Sequence, residues 1–203
     1  MKLRYSTTSP FVRKVTMMAL ETGLDDRIER VPTNPWDADS DLPSDNPLGK
    51  VPALVTDDGQ TLFESGLICE YLDSLHDGQK LFPAGGAARW RALRDHALAN
   101  GILEAAVLCL IENKRRPAEV RWADWSDRQT DKIRCALDSL DAEAAGLDRS
   151  LDIGTISVAA ALDYLDFRFP DIGWRDRRGA LQAWYDTFSQ RDSFQATRPH
   201  EPS

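Results

Sequence analysis

The chain has 203 residues, of which 42% are hydrophobic and 29% are charged, and its formal net charge is −8. These proportions exclude a disordered chain and predict one large packed domain or two smaller ones. The lack of a long basic block argues against a nucleic-acid partner. No apolar run approaches the roughly 20 residues that cross a bilayer, and no secretory signal opens the chain. We therefore expect a cytoplasmic protein that binds neither nucleic acid nor membrane.

The first elements alternate between strand and helix patterns. Residues 3–6 are typical of a short strand, and residues 28–31 could form a second one. Between them, Thr7 to Pro10 predicts a helix start, because a hydroxyl residue followed by proline is favoured there. The helix then has one apolar face and ends at Gly23, where a left-handed glycine commonly stops a helix. The residues of that face are Val12, Val15 and Ala19.

A hairpin and a second helix are predicted next. Residues 32–47 are rich in Pro, Asp, Ser and Asn and should be mostly irregular. Two short apolar runs, 52–56 and 61–63, flank the turn sequence Asp57-Asp58-Gly59-Gln60, which is a hairpin signal. Apolar residues from Leu67 to Leu75 recur at helical spacing. The order is therefore βαβ followed by ββα.

The pattern changes after residue 76. Residues 76–87 contain several glycines and a proline, and we interpret them as a linker between domains. Beyond them the hydrophobic spacing predicts only helices. The three cysteines have no CxxC spacing and lie in helical patterns, where buried reduced thiols are expected. The three histidines lack metal-ligand spacing, so no metal is predicted.

Three short segments carry the candidate chemistry. Ser9 stands at a helix start, where free N–H groups and the positive dipole end would stabilise a thiolate, although it could equally be a plain cap. If the Val51–Pro52 bond is cis, the Val51 backbone could pair with an extended peptide; an ordinary trans-proline turn is the alternative. Ser65 is a good N-cap, and Glu64 could pair with an ammonium or serve in capping alone.

The order and spacing of these segments resemble the glutathione S-transferase superfamily. The motifs that carry the resemblance are Ser9-Pro10-Phe11-x-Arg13, Asn46-Pro47-x-Gly49-Lys50-Val51-Pro52, and Glu64-Ser65 followed by Ile68-x-Glu70-Tyr71-Leu72. Residues 152–162 resemble the hydrophobic core helix of the family's second domain. The resemblance implies a thioredoxin-like α/β domain over residues 1–76 and an all-α domain over residues 88–203.

The resemblance also assigns roles to single residues. Ser9 matches the catalytic position at the start of the first helix, where a hydroxyl would donate to the thiolate of glutathione. Pro52 matches the family's cis-proline, and Val51 matches the residue whose backbone pairs with the cysteinyl part of glutathione. Glu64 and Ser65 match the residues that hold the γ-glutamyl end. The preceding residue Lys50 stands where relatives often contact the tripeptide.

Other residues have two possible roles or differ from the residue that the family usually carries. Phe11 and Trp36 are candidates for a second-substrate pocket between the domains, with core packing as the alternative. Arg13 either adds positive potential to the first helix or is a solvent-facing charge. Asn100 replaces the acidic residue through which several relatives reach the partner subunit's glutathione. Thr155 replaces the usual Asp of a capping box, which should weaken its reciprocal half.

The function implied by the resemblance is that of a homodimeric glutathione transferase. Glutathione would be the co-substrate, its thiolate would attack a small hydrophobic electrophile in a detoxification reaction, and no metal would take part. A non-catalytic protein that uses the same fold to bind ligands or partners is the alternative, because fold does not fix function. A disulfide oxidoreductase is disfavoured, since position 9 carries no thiol.

Overall fold

The computed structural model describes residues 1–149 and 151–201. It divides into two compact units, one formed by Met1–Ala84 together with the C-terminal residues from Asp192 onward, and the other by Gly85–Arg191. None of the helices in these described ranges combines the length and the hydrophobicity that a bilayer crossing requires.

The first unit contains a four-stranded mixed sheet. Its strands are β1 (Lys2–Tyr5), β2 (Glu29–Pro32), β3 (Ala53–Val55) and β4 (Thr61–Phe63), in the order β2-β1-β3-β4. β1 and β2 are parallel, whereas β3 is antiparallel to both β1 and β4. The hairpin predicted around residues 57–60 is the β3–β4 connection. A short mixed sheet of this kind is the one that the βαβ and ββα patterns predict.

Two helices complete the predicted pattern of this unit, α1 (Pro10–Glu21) and α2 (Ser65–Ser74). α1 begins as its sequence indicates, with Ser9 as the N-cap and Pro10 at the first helical position. It ends before Gly23, whose φ of 69° lies in the left-handed region that a side chain rarely tolerates. The predicted apolar face is narrower than the buried surface of the helix, because every residue from Val12 to Ala19 is buried.

The described residues of the second unit form helices joined by loops and contain no strand. It contains α3 (Gly86–Leu110), which continues into a π-helical turn (Ile111–Arg115), and then α4 (Ala123–Ala142), α5 (Ile153–Arg168) and α6 (Gly179–Phe188). α5 is buried from Ile153 to Leu165 and packs against α3. The two backbones approach so closely at Gly154 that a Cβ there would lie 2.7 Å from the carbonyl oxygen of Ala92.

The start of α5 carries a complete capping box. Asp152 accepts a hydrogen bond from the backbone N–H of Thr155 at 3.0 Å, and the hydroxyl oxygen of Thr155 accepts one from the backbone N–H of Asp152 at 3.0 Å. The expectation of a weakened reciprocal half is therefore wrong. A threonine hydroxyl is short, but it can reach the N-cap amide from the third helical position, as a carboxylate would.

The C-terminal segment differs from the sequence-based boundary. Residues 88–203 were expected to form one helical domain, but a short helix α7 (Asp192–Ala196) packs against α1 in the first unit. Phe194 is fully buried, and the guanidinium of Arg13 lies 4.2 Å from its ring centroid. The hydroxyl of Thr7 also donates to the carbonyl of His200 at 2.9 Å. These contacts join positions about 180 residues apart, so no local pattern could indicate them.

The close approach at Gly154 predicts the effect of adding one methyl group. Gly154→Ala should lower the free energy of unfolding by about 1–3 kcal/mol, because the new Cβ forces α3 and α5 apart. Gly101→Ala in α3 is the matched control, since a Cβ there meets nothing within 4 Å and its φ is not in the left-handed region. That change should stabilise the protein by about 0.5–1 kcal/mol. Urea denaturation measures both, and equal effects would contradict the packing argument.

Candidate functional site

Ser9 lies between β1 and α1, at the positive end of the helix. Its hydroxyl oxygen accepts a hydrogen bond from the backbone N–H of Val12 at 3.3 Å. A hydroxyl has one donor and two acceptor positions, so this bond leaves the O–H of Ser9 free to donate. The residue is half-buried. Ser9 can therefore cap α1 and offer a proton to an anion at the same time.

The loop before β3 is organised by Asn46, which is only 2% exposed. Its side-chain amide donates to the carbonyl of Lys50 at 2.7 Å, and its carbonyl oxygen accepts from the backbone N–H of Leu48 at 3.0 Å. Gly49 turns the chain between them with a φ of 61°. Asn46 thus fixes the path of the chain into Val51. Asn46 is part of a motif that the sequence analysis identified, but no role was predicted for this residue.

Val51 and Pro52 are joined by a cis peptide bond. The paired register of β1 and β3 begins with Ala53 opposite Arg4, so Val51 lies two residues outside the ladder. Its side chain is buried. The backbone of Val51 is therefore placed at the end of the sheet rather than within it.

The sheet topology brings the three candidate segments to one edge. β3 is antiparallel to both β1 and β4, so the ends of β1 and β4 and the start of β3 meet there. One row across the sheet is formed by Arg4, Ala53 and Phe63. Ser9 follows β1, Val51 precedes β3 and Glu64 follows β4.

An apolar cluster joins these segments below the edge. Val12 of α1 packs with Leu42, Val51 and Ala53, and two partly buried rings complete the cluster, those of Tyr5 and Phe63. Val12 is three residues after Ser9 in the sequence, and Phe63 directly precedes Glu64. The positions of Ser9, Val51 and Glu64 are thus coupled through their buried neighbours.

Glu64, rather than Ser65, is the N-cap of α2. Its Oε2 atom accepts hydrogen bonds from the backbone N–H groups of Gly66 at 2.9 Å and Leu67 at 3.1 Å. Ser65 is the first helical residue, is buried, and donates from its hydroxyl to Oε1 of Glu64 at 3.2 Å. The prediction of Ser65 as the cap is wrong. The longer Glu64 side chain folds back over the first turn, and its backbone has a φ of 75°.

The carboxylate of Glu64 is held ionised. Partial burial opposes ionisation, but the N–H groups of Gly66 and Leu67, the positive charge of Lys14 and the Ser65 hydroxyl outweigh it, so the pKa of Glu64 is lowered. Glu64 as a residue is exposed. Its Oε1 atom accepts one bond from Ser65 and retains acceptor capacity. An exposed, ionised carboxylate of this kind is suited to receive an ammonium.

The remaining predicted site residues have fewer contacts that fix them at the end of the sheet. Lys50 is exposed beside Val51, and Phe11 is half-buried on α1. Trp36 is 47% exposed in the irregular segment after β2, where its backbone N–H donates to Asn34 Oδ1 at 3.1 Å. Neither Phe11 nor Trp36 belongs to the cluster around Val12.

Two charged residues of α1 are buried where the sequence indicates solvent. Arg13 is 4% exposed and donates to the carbonyl of Phe194 at 3.1 Å, so the interpretation as a solvent-facing charge is wrong. Lys14 is 0% exposed, and its ammonium lies 5.5 Å from the centroid of the Phe11 ring. Sequence reasoning missed Lys14, because a lysine next to an arginine in a helix is normally a solvated pair.

Asn100 lies in the second unit, on α3. Its side-chain nitrogen is 3.1 Å from Nε2 of His96, and Nδ1 of His96 is 2.8 Å from the hydroxyl of Ser157 on α5. The Ser157 hydroxyl donates to the carbonyl of Ile153 at 2.7 Å, so it accepts from His96. Asn100 therefore takes part in a polar link between α3 and α5.

The left-handed backbone of Glu64 predicts a contrast between two substitutions. Glu64→Ala loses the cap but keeps a Cβ at a strained φ, so unfolding should be easier by about 0.5–2 kcal/mol. Glu64→Gly also loses the cap, but glycine relieves the strain at this φ, and the net change should be within about 0.5 kcal/mol of zero. Urea denaturation at neutral pH measures both. Equal losses would show that the φ of Glu64 stores no strain.

Comparison with known proteins identifies relatives of both units. The model of the glutathione S-transferase N-terminal domain matches residues 8–75, and that of the C-terminal domain matches residues 123–187. The GST-like protein YibF of Escherichia coli strain K12 is 35% identical over 98% of both chains.

Solved structures match along the whole chain. A glutathione transferase family member from Pseudomonas fluorescens Pf-5 with bound glutathione is 48% identical, with a TM-score of 0.94 over 98% of this chain and 99% of that chain. A structure of a family member from the same organism contains S-(propanoic acid)-glutathione and gives 46% identity, with a TM-score of 0.91 over 99% of this chain and 100% of that chain. The small mixed sheet followed by a helical unit is thus the glutathione S-transferase fold, and the chain belongs to the glutathione S-transferase family.

Proposed function

We propose that the protein is a glutathione transferase in which Ser9 stabilises the glutathione thiolate for attack on a small hydrophobic electrophile. The observation that carries this proposal is the half-buried Ser9 hydroxyl at the start of α1, which accepts from Val12 and keeps its own proton to donate. The reaction forms a carbon–sulfur bond, and the displaced group leaves with the bonding electrons. No metal has a role in this proposal.

The interactions available at Ser9 are strong enough to favour the thiolate form of a bound thiol near neutral pH. An ordinary thiol has a pKa of about 8.5, and lowering it by two units requires about 2.7 kcal/mol of preference for the thiolate. A helix N-terminus contributes about 0.3–2 kcal/mol. A hydrogen bond to a charged acceptor contributes about 1.5–3 kcal/mol. Ser9 and the start of α1 together therefore suffice without a buried base.

The rest of the sheet edge matches the chemistry of the tripeptide. The Val51 backbone, beside the cis-Pro52, is the proposed partner of the cysteinyl unit, and Lys50 stands next to it as a further contact. Glu64 would receive the γ-glutamyl ammonium, and Ser65 with the first turn of α2 would hold the γ-glutamyl carboxylate. Bound glutathione in the Pseudomonas fluorescens relative supports this assignment.

The proposal also covers the site of the electrophile and the oligomeric state, in less detail. Phe11 and Trp36 are the proposed apolar contacts of the electrophile. The relative that holds S-(propanoic acid)-glutathione supports a site that accepts a substituent on sulfur. We also propose a cytoplasmic homodimer, and the exposed apolar side chains of Leu48 and Leu67 are consistent with a covered surface on the first unit.

Substitution of Ser9 tests the proposed mechanism. Ser9→Ala should lower kcat for conjugation at pH 7 by about 10- to 100-fold, because the thiolate loses a charge-assisted hydrogen bond. The KM for glutathione should change little. The deficit should shrink toward pH 9, where the thiol of bound glutathione ionises without help. Steady-state rates with a chloronitroaromatic electrophile, measured between pH 6 and 9, provide the test.

Two controls separate chemistry from folding. Ser9→Gly also lacks the hydroxyl but should cost only a few tenths of a kcal/mol in capping, so its rate should fall as far as that of Ser9→Ala. Ser74→Ala, at the exposed end of α2, should leave the rate unchanged. An unaltered pH–rate profile in Ser9→Gly would remove Ser9 from the mechanism. Tight glutathione binding by the wild-type protein without turnover of any electrophile would favour the non-catalytic alternative.

A further inference from the structure

The C-terminal segment, residues 192–201, contacts α1 one turn after Ser9. The guanidinium of Arg13 donates to the carbonyl of Phe194 at 3.1 Å and to the hydroxyl oxygen of Thr197 at 3.4 Å, and it lies 4.2 Å from the centroid of the Phe194 ring. Arg13 is 4% exposed, and Phe194 is fully buried. An arginine held by directional hydrogen bonds and by an aromatic ring has little freedom to move. Arg13 is thus a fixed point of attachment for α1.

The first turn of α1 joins Arg13 directly to Ser9. The backbone N–H of Arg13 donates to the carbonyl of Ser9 at 3.0 Å. The two residues are four positions apart, which is about 6 Å along the helix axis. A displacement of Arg13 is therefore transmitted to Ser9 through a hydrogen-bonded turn.

A second contact of the C-terminal segment lies on the other side of Ser9. The chain turns between β1 and α1, and the backbone N–H of Ser9 closes this turn by donating to the carbonyl of Ser6 at 3.2 Å. Thr7 stands inside the turn, and its hydroxyl donates to the carbonyl of His200 at 2.9 Å. The C-terminal segment therefore holds the chain two residues before Ser9 and four residues after it.

Two faces of α1 are held in different ways. Val12 packs in the apolar cluster below the sheet edge, whereas Arg13, the next residue, points about 100° further round the helix and meets the C-terminal segment. Apolar burial resists separation of the helix from the sheet, but it is not directional and permits small sliding movements. The hydrogen bonds of Arg13 and Thr7 restrict such movements, because they depend on distance and angle.

We propose that the C-terminal segment positions Ser9 for catalysis, with Arg13 and Thr7 as the positioning residues that connect the segment to the start of α1. This inference rests on the function proposed above, in which the Ser9 hydroxyl donates to the thiolate of glutathione. A donor contributes fully only within a narrow range of distance and angle. A misplacement of about 1 Å at a catalytic group can cost about 100-fold in rate. Arg13 and Thr7 need not touch glutathione to have this effect.

Arg13→Lys tests the inference with the charge preserved. Lysine replaces the planar fork of donors by a single ammonium, so the start of α1 is held less tightly. We expect kcat for conjugation at pH 7 to fall about three- to tenfold, and the acid limb of the pH–rate profile to move to higher pH by about half to one unit, because bound glutathione is less ionised. The Kd for S-methylglutathione, which has no ionisable thiol, should stay within about twofold of the wild-type value.

Three measurements record these effects. Steady-state rates between pH 6 and 9 with the chloronitroaromatic electrophile give kcat and the acid limb. The ultraviolet difference absorbance of the bound thiolate reports the ionisation of glutathione without turnover, and calorimetry gives the Kd. A purely structural contact would change stability without moving the acid limb.

Thr7→Val provides a second variant with little risk to folding. It removes the hydroxyl that donates to His200 at the surface and keeps the branched shape of the side chain. We expect kcat at pH 7 to fall about two- to threefold with the acid limb again at higher pH, and Thr7→Ser, which keeps the hydroxyl, should restore the wild-type profile. The inference is overturned if Arg13→Lys keeps the wild-type acid limb or, should Arg13→Lys not fold, if Thr7→Val keeps it.

Ser193→Ala is the matched control, because it breaks another contact of the C-terminal segment with α1. The buried hydroxyl of Ser193 donates to Oε1 of Glu21, which is about 18 Å from Ser9 along the helix axis. This variant should lose stability but keep the wild-type kcat and acid limb. Equal shifts of the acid limb in Ser193→Ala and Arg13→Lys would show that the C-terminal segment only stabilises the fold, and the inference would be wrong.

The Ser9→Gly background separates the inference from the proposed function. Without the Ser9 hydroxyl, Arg13→Lys should no longer move the acid limb, and a full shift in this background would contradict the inference. If Ser9→Gly alone leaves the pH–rate profile unaltered, the proposed mechanism fails and the inference fails with it. If Ser9→Gly moves the profile and Arg13→Lys does not, only the inference fails.

Discussion

The candidate site depends on the burial of Val12 against Val51 in the cluster below the sheet edge. The hydrogen bonds described for Ser9, Asn46 and Glu64 reach only residues within four positions along the chain. These bonds shape each segment but do not join one segment to another. The apolar contacts do so, because burial of each large apolar side chain contributes about 1.5–3 kcal/mol and is shared by all the elements that meet there.

The sheet topology places the starts of two helices beside this cluster. Helices α1 and α2 both begin where a strand ends, and the strand directions place both starts at the same edge. Two helix N-termini therefore present their positive dipole ends to one place. Each is capped by a side chain with capacity left for a ligand, a hydroxyl donor at Ser9 and a carboxylate acceptor at Glu64. Such a pair can recognise a thiolate and an ammonium at the two ends of one small molecule.

Local signals in the sequence predicted the features that depend on neighbouring residues. The cap of α1 and the hairpin follow from short patterns, because the forces that decide them act over a few positions. The choice of Glu64 over Ser65 as a cap could not be read in this way, since it depends on a backbone angle. The burial of Arg13 and Lys14 could not be predicted from a local sequence pattern either. Hydrophobic periodicity counts both as polar, whereas the burial of Arg13 depends on its contact with Phe194, far away in the sequence.

These two buried cations of α1 illustrate how adjacent residues acquire different roles. Arg13 lies over an aromatic ring and donates to a backbone carbonyl, and both groups belong to the C-terminal segment and cannot change their charge. Lys14 has no exposed surface, and its ammonium lies 5.5 Å from the centroid of the Phe11 ring. Arg13 therefore ties α1 to the C-terminal segment, whereas the ring beside Lys14 belongs to the same helix.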